Sequence, residues 1–431
     1  MSRAHRRTLI IRRHVALAAV IASLILAALP RAAAAESGML HAGDSVLLDA
    51  GGSPLLLRCV NLGAWLNPEG YLVGEGSFAA LTTSPSEIRE RLAALVGPAK
   101  AASFWQDWTR AFVAESDFKR LKEKGFNCVR LPLTAKTLVA GETGERVLLD
   151  AAAIAPVDRA VAWGAAYGIY VFLDLHDAPG GQNSLASVSD VPSTDRVARL
   201  WQGPTAAQNR RLTIRLWHAL AQRYAEASVV GGYDLLNEPE LPTGIAPAEL
   251  ARLYDDIIAA IRTVDHAHLI VLEGNHYAHD FAALGTPADA NVMYEFHEYA
   301  LFNRAWRAPT QQTLQPFLAL RAATKKPLWL GEFGEETAPW QANMVRLMQA
   351  NGIGWAVWPW KRIDFRNGHP VIATIAVPPA WKEIAGYLVG RGFARKPPAA
   401  LAEQAMAQML EAIRTANCRE DEAVEKVLAG E

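Results

Sequence analysis

The stretch YDLLNEPE, Tyr233–Glu240, decides the fold. It begins as a short apolar run of strand type and ends in Asn237, Glu238 and Pro239. The stretch PLWLGEFG, Pro327–Gly334, repeats the arrangement, with Glu332 at the end of its apolar run. Both runs are too apolar for surface loops. Each carboxylate therefore emerges from a buried core at the C-terminal end of a strand, the end at which barrel folds carry their reactive groups.

Working outward, further runs of the same kind appear at Leu56–Asn61, Cys128–Leu131, Tyr170–Leu175, Leu269–Leu272, Val292–Phe296 and Gly354–Trp358. With Tyr233–Leu236 and Leu328–Leu330 they make eight strand candidates. They are continuously apolar rather than alternating, as parallel strands buried on both faces are. Helical patterns separate them. Ser84-Pro85-Ser86-Glu87 is a capping box with proline at the first helical position. Asn209–Tyr224 and Pro247–Val264 are long amphipathic stretches, and Glu115–Lys124 stops at Gly125. This alternation predicts an α/β fold, a (β/α)8 barrel in a single domain spanning residues 36–431. Leu401, Met406, Met409, Leu410 and Ile413 lie at helical spacing within Pro397–Asn417 and predict an extra C-terminal helix, followed by a solvated acidic tail.

Composition narrows the class. The formal net charge of the 431 residues is -1, so the chain lacks the basic footprint of a nucleic-acid binder. Thirteen tryptophans are a high number and fit stacking on flat apolar faces, although tryptophan is also ordinary core filling and most of them are expected to be that. Arg3, Arg6, Arg7, Arg12 and Arg13 precede an uncharged apolar run, Val15–Leu29, and then Ala33–Ala35. That layout predicts a secretory signal peptide, residues 1–35, and a secreted or periplasmic mature chain without a membrane segment. An uncleaved anchor is the alternative, but the run falls short of the roughly 20 residues of a comfortable span. Cys59 and Cys128 fall on adjacent strand candidates. Buried free thiols are the expectation for them, a disulfide the alternative, and Cys418 is left over. No zinc-ligand spacing occurs, so neither a metal nor a cofactor is expected. The long loop Gly180–Gly203, rich in Ser, Asp and Asn, is read as functional rather than idle.

The strand ends carry a constellation. Arg130 ends the second strand in NCVRLPL, His176 the third in DLHDAPGG, and Asn237 with Glu238 the fourth. His297 and Tyr299 end the sixth in FHEYA, Glu332 the seventh, and Trp358 the eighth in GWAVWPWK. In these residues the chain resembles glycoside hydrolase family 5, the cellulase-like retaining β-glycosidases, over about Arg58–Trp360. The resemblance implies a hydrolase of a β-linked polysaccharide or oligosaccharide, acting without a cofactor and expected to be a monomer. Glu332 is then the nucleophile and Glu238 the acid/base, with Arg130, His176, Asn237, His297, Tyr299 and Trp358 binding substrate or supporting them. It also implies a cis peptide between Trp358 and Pro359.

The roles follow from chemistry as well. Double displacement needs one ionised carboxylate and one protonated carboxyl about 5–5.5 Å apart. Arg130 and Tyr299 can reach Glu332 and favour its ionised form, whereas Glu238 stands beside neutral Asn237 and leucines, which favours its protonated form. Arg130 could equally pair with Asp174, and the two histidines could be satisfied core residues. Glu273, Glu295, Glu298 and Glu335 read as supporting or rim residues; Trp65, Trp201, Trp340 and Trp360 as cleft or core. VNLGAWLNPEG, Val60–Gly70, and DLHDAPGGQN, Asp174–Asn183, look closest to the family's β-1,3-glucanase branch, which usually has Gly where this chain has Ala64 and Asp177. Transglycosylation, mannan or glycosylceramide cleavage, and a catalytically silent sugar-binding barrel are the competing readings.

Overall fold

A computed structural model describes residues 38–74, 83–300, 303–365, 370–391 and 394–429. The expected signal peptide lies outside the described residues. Eight parallel strands close into a barrel in sequence order: β1 (Arg58–Asn61), β2 (Cys128–Thr134), β3 (Tyr170–Asp177), β4 (Val230–Asp234), β5 (Ile270–Glu273), β6 (Val292–His297), β7 (Leu328–Gly334) and β8 (Gly354–Trp358). The helices packed around them are α1 (Pro85–Val96), α2 (Pro98–Ala111), α3 (Glu115–Glu123), α4 (Ala151–Tyr167), α5 (Ala206–Tyr224), α6 (Ala248–Arg262), α7 (Gln311–Thr324) and α8 (Ala338–Ala350). This is the (β/α)8 architecture that the sequence predicts, with one departure. Between β5 and β6 the described chain has only a single turn, Asn275–Ala278, in which His276 and Tyr277 are left-handed.

Local signals act as read. Ser84 accepts from the Glu87 amide while Glu87 accepts from the Ser84 amide, so α1 begins on a complete capping box. The barrel interior has two levels. Its N-terminal end is filled by Leu57, Cys59, Cys128, Phe172, Val271, Met293, Trp329 and Ala356. A short hairpin, His41–Ala42 with Leu47–Leu48, packs Leu40 and Leu47 against that cluster. Above it the interior turns polar, and there the site is built.

Two expectations need correction. Cys59 and Cys128 are bonded to each other, not free. They are partners across the β1–β2 ladder with Cα atoms 4.5 Å apart, inside the range a disulfide spans. The acidic tail is not solvated throughout. Beyond α9 (Pro379–Leu388) and the expected extra helix α10 (Ala399–Ala412) the chain forms α11 (Glu422–Ala429), which buries Val424 and Leu428. Arg58 holds it by donating to the Leu428 carbonyl at 2.9 Å. Arg419–Glu420 also adds a strand to a small sheet made by Lys361–Asp364 and Ala373–Ala376.

Candidate active site

Arg130 organises the mouth of the barrel. It is fully buried and points inward from β2. Its guanidinium meets Glu332 at 2.6 Å, Asp234 at 2.8 Å, Glu273 at 3.0 Å, Glu295 at 3.1 Å and Asp174 at 3.2 Å. It also donates to Asn237 Oδ1 at 2.9 Å. Pairing with Asp174 and support of Glu332 are thus jobs it does together. Only a planar fork with five N–H groups can serve acids arriving from so many strands at once.

All eight residues expected in the site are brought together. Glu332 lies on β7 and accepts from Arg130 at 2.6 Å and from the Tyr299 hydroxyl at 2.9 Å. Glu238 stands just past β4 in a left-handed conformation, φ 43°. That is a costly state for a side chain with a Cβ, and it is held by two contacts: the Glu238 amide donates to Glu273 Oε2 at 2.6 Å, and its carbonyl accepts from Asn183 at 3.0 Å. One carboxyl oxygen of Glu238 and one of Glu332 lie within 4.8 Å of each other.

Burial pushes both carboxyls above the ordinary range, opposed at Glu332 by the Arg130 guanidinium and at Glu238 by His176 and His279. The direction is shared, so the partners distinguish the two. Glu332 touches a permanent cation and a phenol. The contact made by the Glu238 side chain is with His297 Nδ1 at 2.9 Å. Burial drives His297 down to about 3, Glu332 opposing, so the ring is neutral. Its Nε2 meets Glu295 at 3.2 Å. A neutral imidazole has one N–H for these two carboxyls, so at least one of the acids brings its own proton.

The remaining residues form a wall. His176 Nδ1 sits 2.7 Å from Asp174 and Nε2 3.5 Å from Glu69. Burial opposes its charge, but Asp174 and Glu69 outweigh burial and hold its pKa well above the ordinary imidazole value. The Trp358 ring stacks on it at 5.6 Å, inclined by 6°, and donates from Nε1 to Tyr71 at 2.7 Å. The Trp358–Pro359 peptide is cis, as the resemblance implied. Gly63 is required here, since a Cβ at that position would sit 2.9 Å from the Trp358 ring. The loop after β3 is part of the site. Gln182 donates to the carbonyls of both His176 and Asn237 and so ties the ends of β3 and β4 together.

Glu273 and Glu295 are fully buried on Arg130, while Glu298 pairs with His279 at 3.1 Å and Glu335 with Arg362. Trp65, Trp201, Trp340 and Trp360 are buried with their indole N–H groups engaged, by the Thr109, Gln182 and Trp306 carbonyls and by Asp117 respectively, so they pack rather than line a cleft. Glu69, Tyr71 and Asn67 were not singled out from the sequence, because a loop carries no period that shows which side chains turn inward. Glu273, Glu295 and His297 also have spacing that would admit a cation, but Arg130 already supplies positive charge to that pair of acids.

Two carboxyls facing each other at the C-terminal mouth of a (β/α)8 barrel, over a tryptophan platform, define a glycoside hydrolase site. Residues 93–363 match the model of the cellulase family, glycosyl hydrolase family 5, and the chain belongs to that family. It is 29% identical to a beta-xylosidase of Phanerodontia chrysosporium over 76% of this chain and 72% of that protein. It is 30% identical to a probable glucan 1,3-beta-glucosidase A of Emericella nidulans over 69% of this chain and 71% of that protein. Among solved structures an endogalactoceramidase superposes with a TM-score of 0.58 at 21% identity, covering 91% of this chain and 84% of that one, a likeness of fold.

Proposed function

We propose that this family 5 hydrolase is an exported retaining β-glycosidase that cleaves a β-glucan or a related β-linked oligosaccharide in two displacements. Glu332 attacks the anomeric carbon as the nucleophile. Glu238 gives its proton to the departing oxygen, then takes one from the water that releases the sugar. Asn237 and His176 bond hydroxyls of the sugar being cleaved, and Trp358 lies beneath its ring. Tyr299 and Arg130 hold the charge of Glu332 before attack and after release.

The observation that carries this reading is the approach of the two carboxyls to within 4.8 Å, with the cation and the phenol both on Glu332. An inverting pair needs room for a water and stands about 6.5–9.5 Å apart. Both sequence relatives have names of β-glycosidases, which supports a β-linked substrate. Export is supported by the layout of residues 1–35 and by the Cys59–Cys128 disulfide, a bond that persists in oxidising compartments. Among the described residues no helix is long and apolar enough to cross a membrane.

The test is turnover of the chain without residues 1–35 on β-1,3-, β-1,4- and β-1,6-linked oligosaccharides, with the first-formed anomer followed by NMR. Release of the β-anomer is expected. Initial release of the α-anomer from a β-linked substrate, or no turnover across the panel, overturns the reading.

A further inference from the structure

On the flank of β1–β3 the mouth holds polar atoms without a hydrogen-bond partner among the described residues. Asp177 is 2% exposed, and neither of its carboxyl oxygens has a hydrogen bond. The same holds for both amide atoms of Asn67 and for Thr134 Oγ1, both on buried residues. An unpaired buried polar group costs about 1–3 kcal/mol, and native proteins leave few of them. Five in one region are what a site awaiting a ligand would present.

The ladder shows where Asp177 points. Arg130 faces the barrel interior, and alternation along β2 puts Pro132 and Thr134 on the same face. The β2–β3 register slips at this point, so that Thr134 pairs with Asp177 rather than with His176. Residues side by side in a ladder share a face, so Asp177 turns into the mouth beside Thr134. The charged and titratable groups that act on it most are Asp190, His176, Glu69 and Asp174, and Lys136 stands 3.9 Å from Asp190. His176, next to Asp177 in sequence, meets Glu69 at 3.5 Å and stacks on Trp358, so the unpaired set is continuous with the cleavage point.

We infer that Asp177, with Thr134 and Asn67, forms a subsite that hydrogen-bonds the hydroxyls of an uncharged sugar unit next to the one being cleaved. The inference rests on the glycosidase reading and names a determinant of its specificity. The chemistry on offer is mixed: an amide that donates and accepts, a hydroxyl that does both, and carboxyl oxygens. Sugar hydroxyls complement such a set in either direction. A uronate or phosphate would meet a wall of acids. A metal ion needs ligands that converge on a point, and Glu69, His176 and Asp177 do not converge in that way. Burial and the neighbouring acids hold Asp177 well above the ordinary range, so it can itself donate to a neutral hydroxyl.

The experiment compares wild type, Asp177→Ala and Asp177→Asn in two assays. Calorimetry measures binding of neutral β-1,3- and β-1,4-linked glucose oligomers and of a glucosamine oligomer; kinetics measures kcat/KM on an aryl β-glycoside of a single sugar. Loss of two hydrogen bonds predicts that Asp177→Ala weakens oligomer binding about 5- to 150-fold. Asp177→Asn should keep most of the affinity, and both variants should leave the single-sugar substrate unchanged. Thermal midpoints should not fall, because no protein bond is lost. Wild-type affinity in Asp177→Ala, no oligomer binding by wild type, equal damage to the single-sugar substrate, or preference for the glucosamine oligomer each overturns the subsite. Oligomer binding that depends on Asp177 without any turnover would keep the subsite and remove the hydrolase reading.

Discussion

Removing the phenol from Glu332 tests the assignment of roles with little disturbance to packing. Tyr299→Phe deletes the oxygen that donates to Glu332 Oε2 at 2.9 Å and keeps the ring. A hydrogen bond to an ionised group contributes about 1.5–3 kcal/mol. It favours the charged form, so its loss raises the carboxyl pKa; at about 1.4 kcal/mol per unit the rise is about 1–2 units. Burial already holds Glu332 above the ordinary range, and the change adds in the same direction. A nucleophile works only when ionised, so activity switches on as pH rises through its pKa. The acid limb of kcat/KM should therefore move up by about 1–2 pH units, and the rate on the former acid limb should fall about 10- to 100-fold. The alkaline limb, where Glu238 loses the proton it must give, should stay nearly fixed. The assay is kcat/KM on an aryl β-glycoside across both limbs, with circular dichroism to check the fold. An unmoved acid limb together with a displaced alkaline limb would refute the reasoning and exchange the two roles.

Glu332→Ala and Glu238→Ala should each abolish nearly all turnover and keep the fold, and azide should rescue them to opposite anomers, α from Glu332→Ala and β from Glu238→Ala. Identical anomers would sink the pairing of residue with role. Arg130→Met should destabilise the barrel by about 3–5 kcal/mol, because it strands buried acids; an unchanged denaturant midpoint would contradict the central position given to Arg130. The paired substitution Cys59→Ala with Cys128→Ala opens a loop closed over a separation of 69 residues and should cost about 4 kcal/mol by chain entropy. In urea the wild type with reductant should approach the variant, and no effect of reductant would show that the bond is absent from the protein in solution.

The barrel was legible because strands buried on both faces cannot hide: all eight appear as apolar runs. Their ends were less so. β4 was expected at Tyr233–Leu236 and lies at Val230–Asp234. Two glycines disguise its start, and they are there because a Cβ on Gly231 would come within 2.6 Å of Phe172 and one on Gly232 within 2.8 Å of the Leu269 carbonyl. α11 escaped notice because a short acidic segment buries only two aliphatic residues strongly, Val424 and Leu428. In the site, strand-end residues were found because position in the barrel implies direction. Glu273 and Glu295 were seen near strand ends, but in strands apolar on both faces nothing marks which residues point inward. The thiols were misjudged for a related reason: adjacency of strands does not give register, and register is what places Cys59 opposite Cys128.

The acids around Arg130 bear on the charge of Glu332, the proposed nucleophile. One guanidinium faces Asp174, Asp234, Glu273, Glu295 and Glu332. Like charges about 4 Å apart repel by about 4 kcal/mol each at an effective dielectric near 20, so five ionised acids around a single cation would be untenable. Burial, followed by the neighbouring carboxyls, pushes Glu273 well above the ordinary range; burial does the same to Glu295 and raises Asp234, with Arg130 opposing at both. All three shifts run toward the protonated form. An acid in its protonated form hydrogen-bonds the guanidinium without claiming a share of its positive charge, which leaves more of that charge for Glu332. Replacing any of the three by an apolar residue would save the burial of a polar group but would lose the contacts that fix the guanidinium. The upward shift of these acids beneath the proposed nucleophile thus serves two demands together: Arg130 is held rigidly from several strands, and its charge still acts on Glu332.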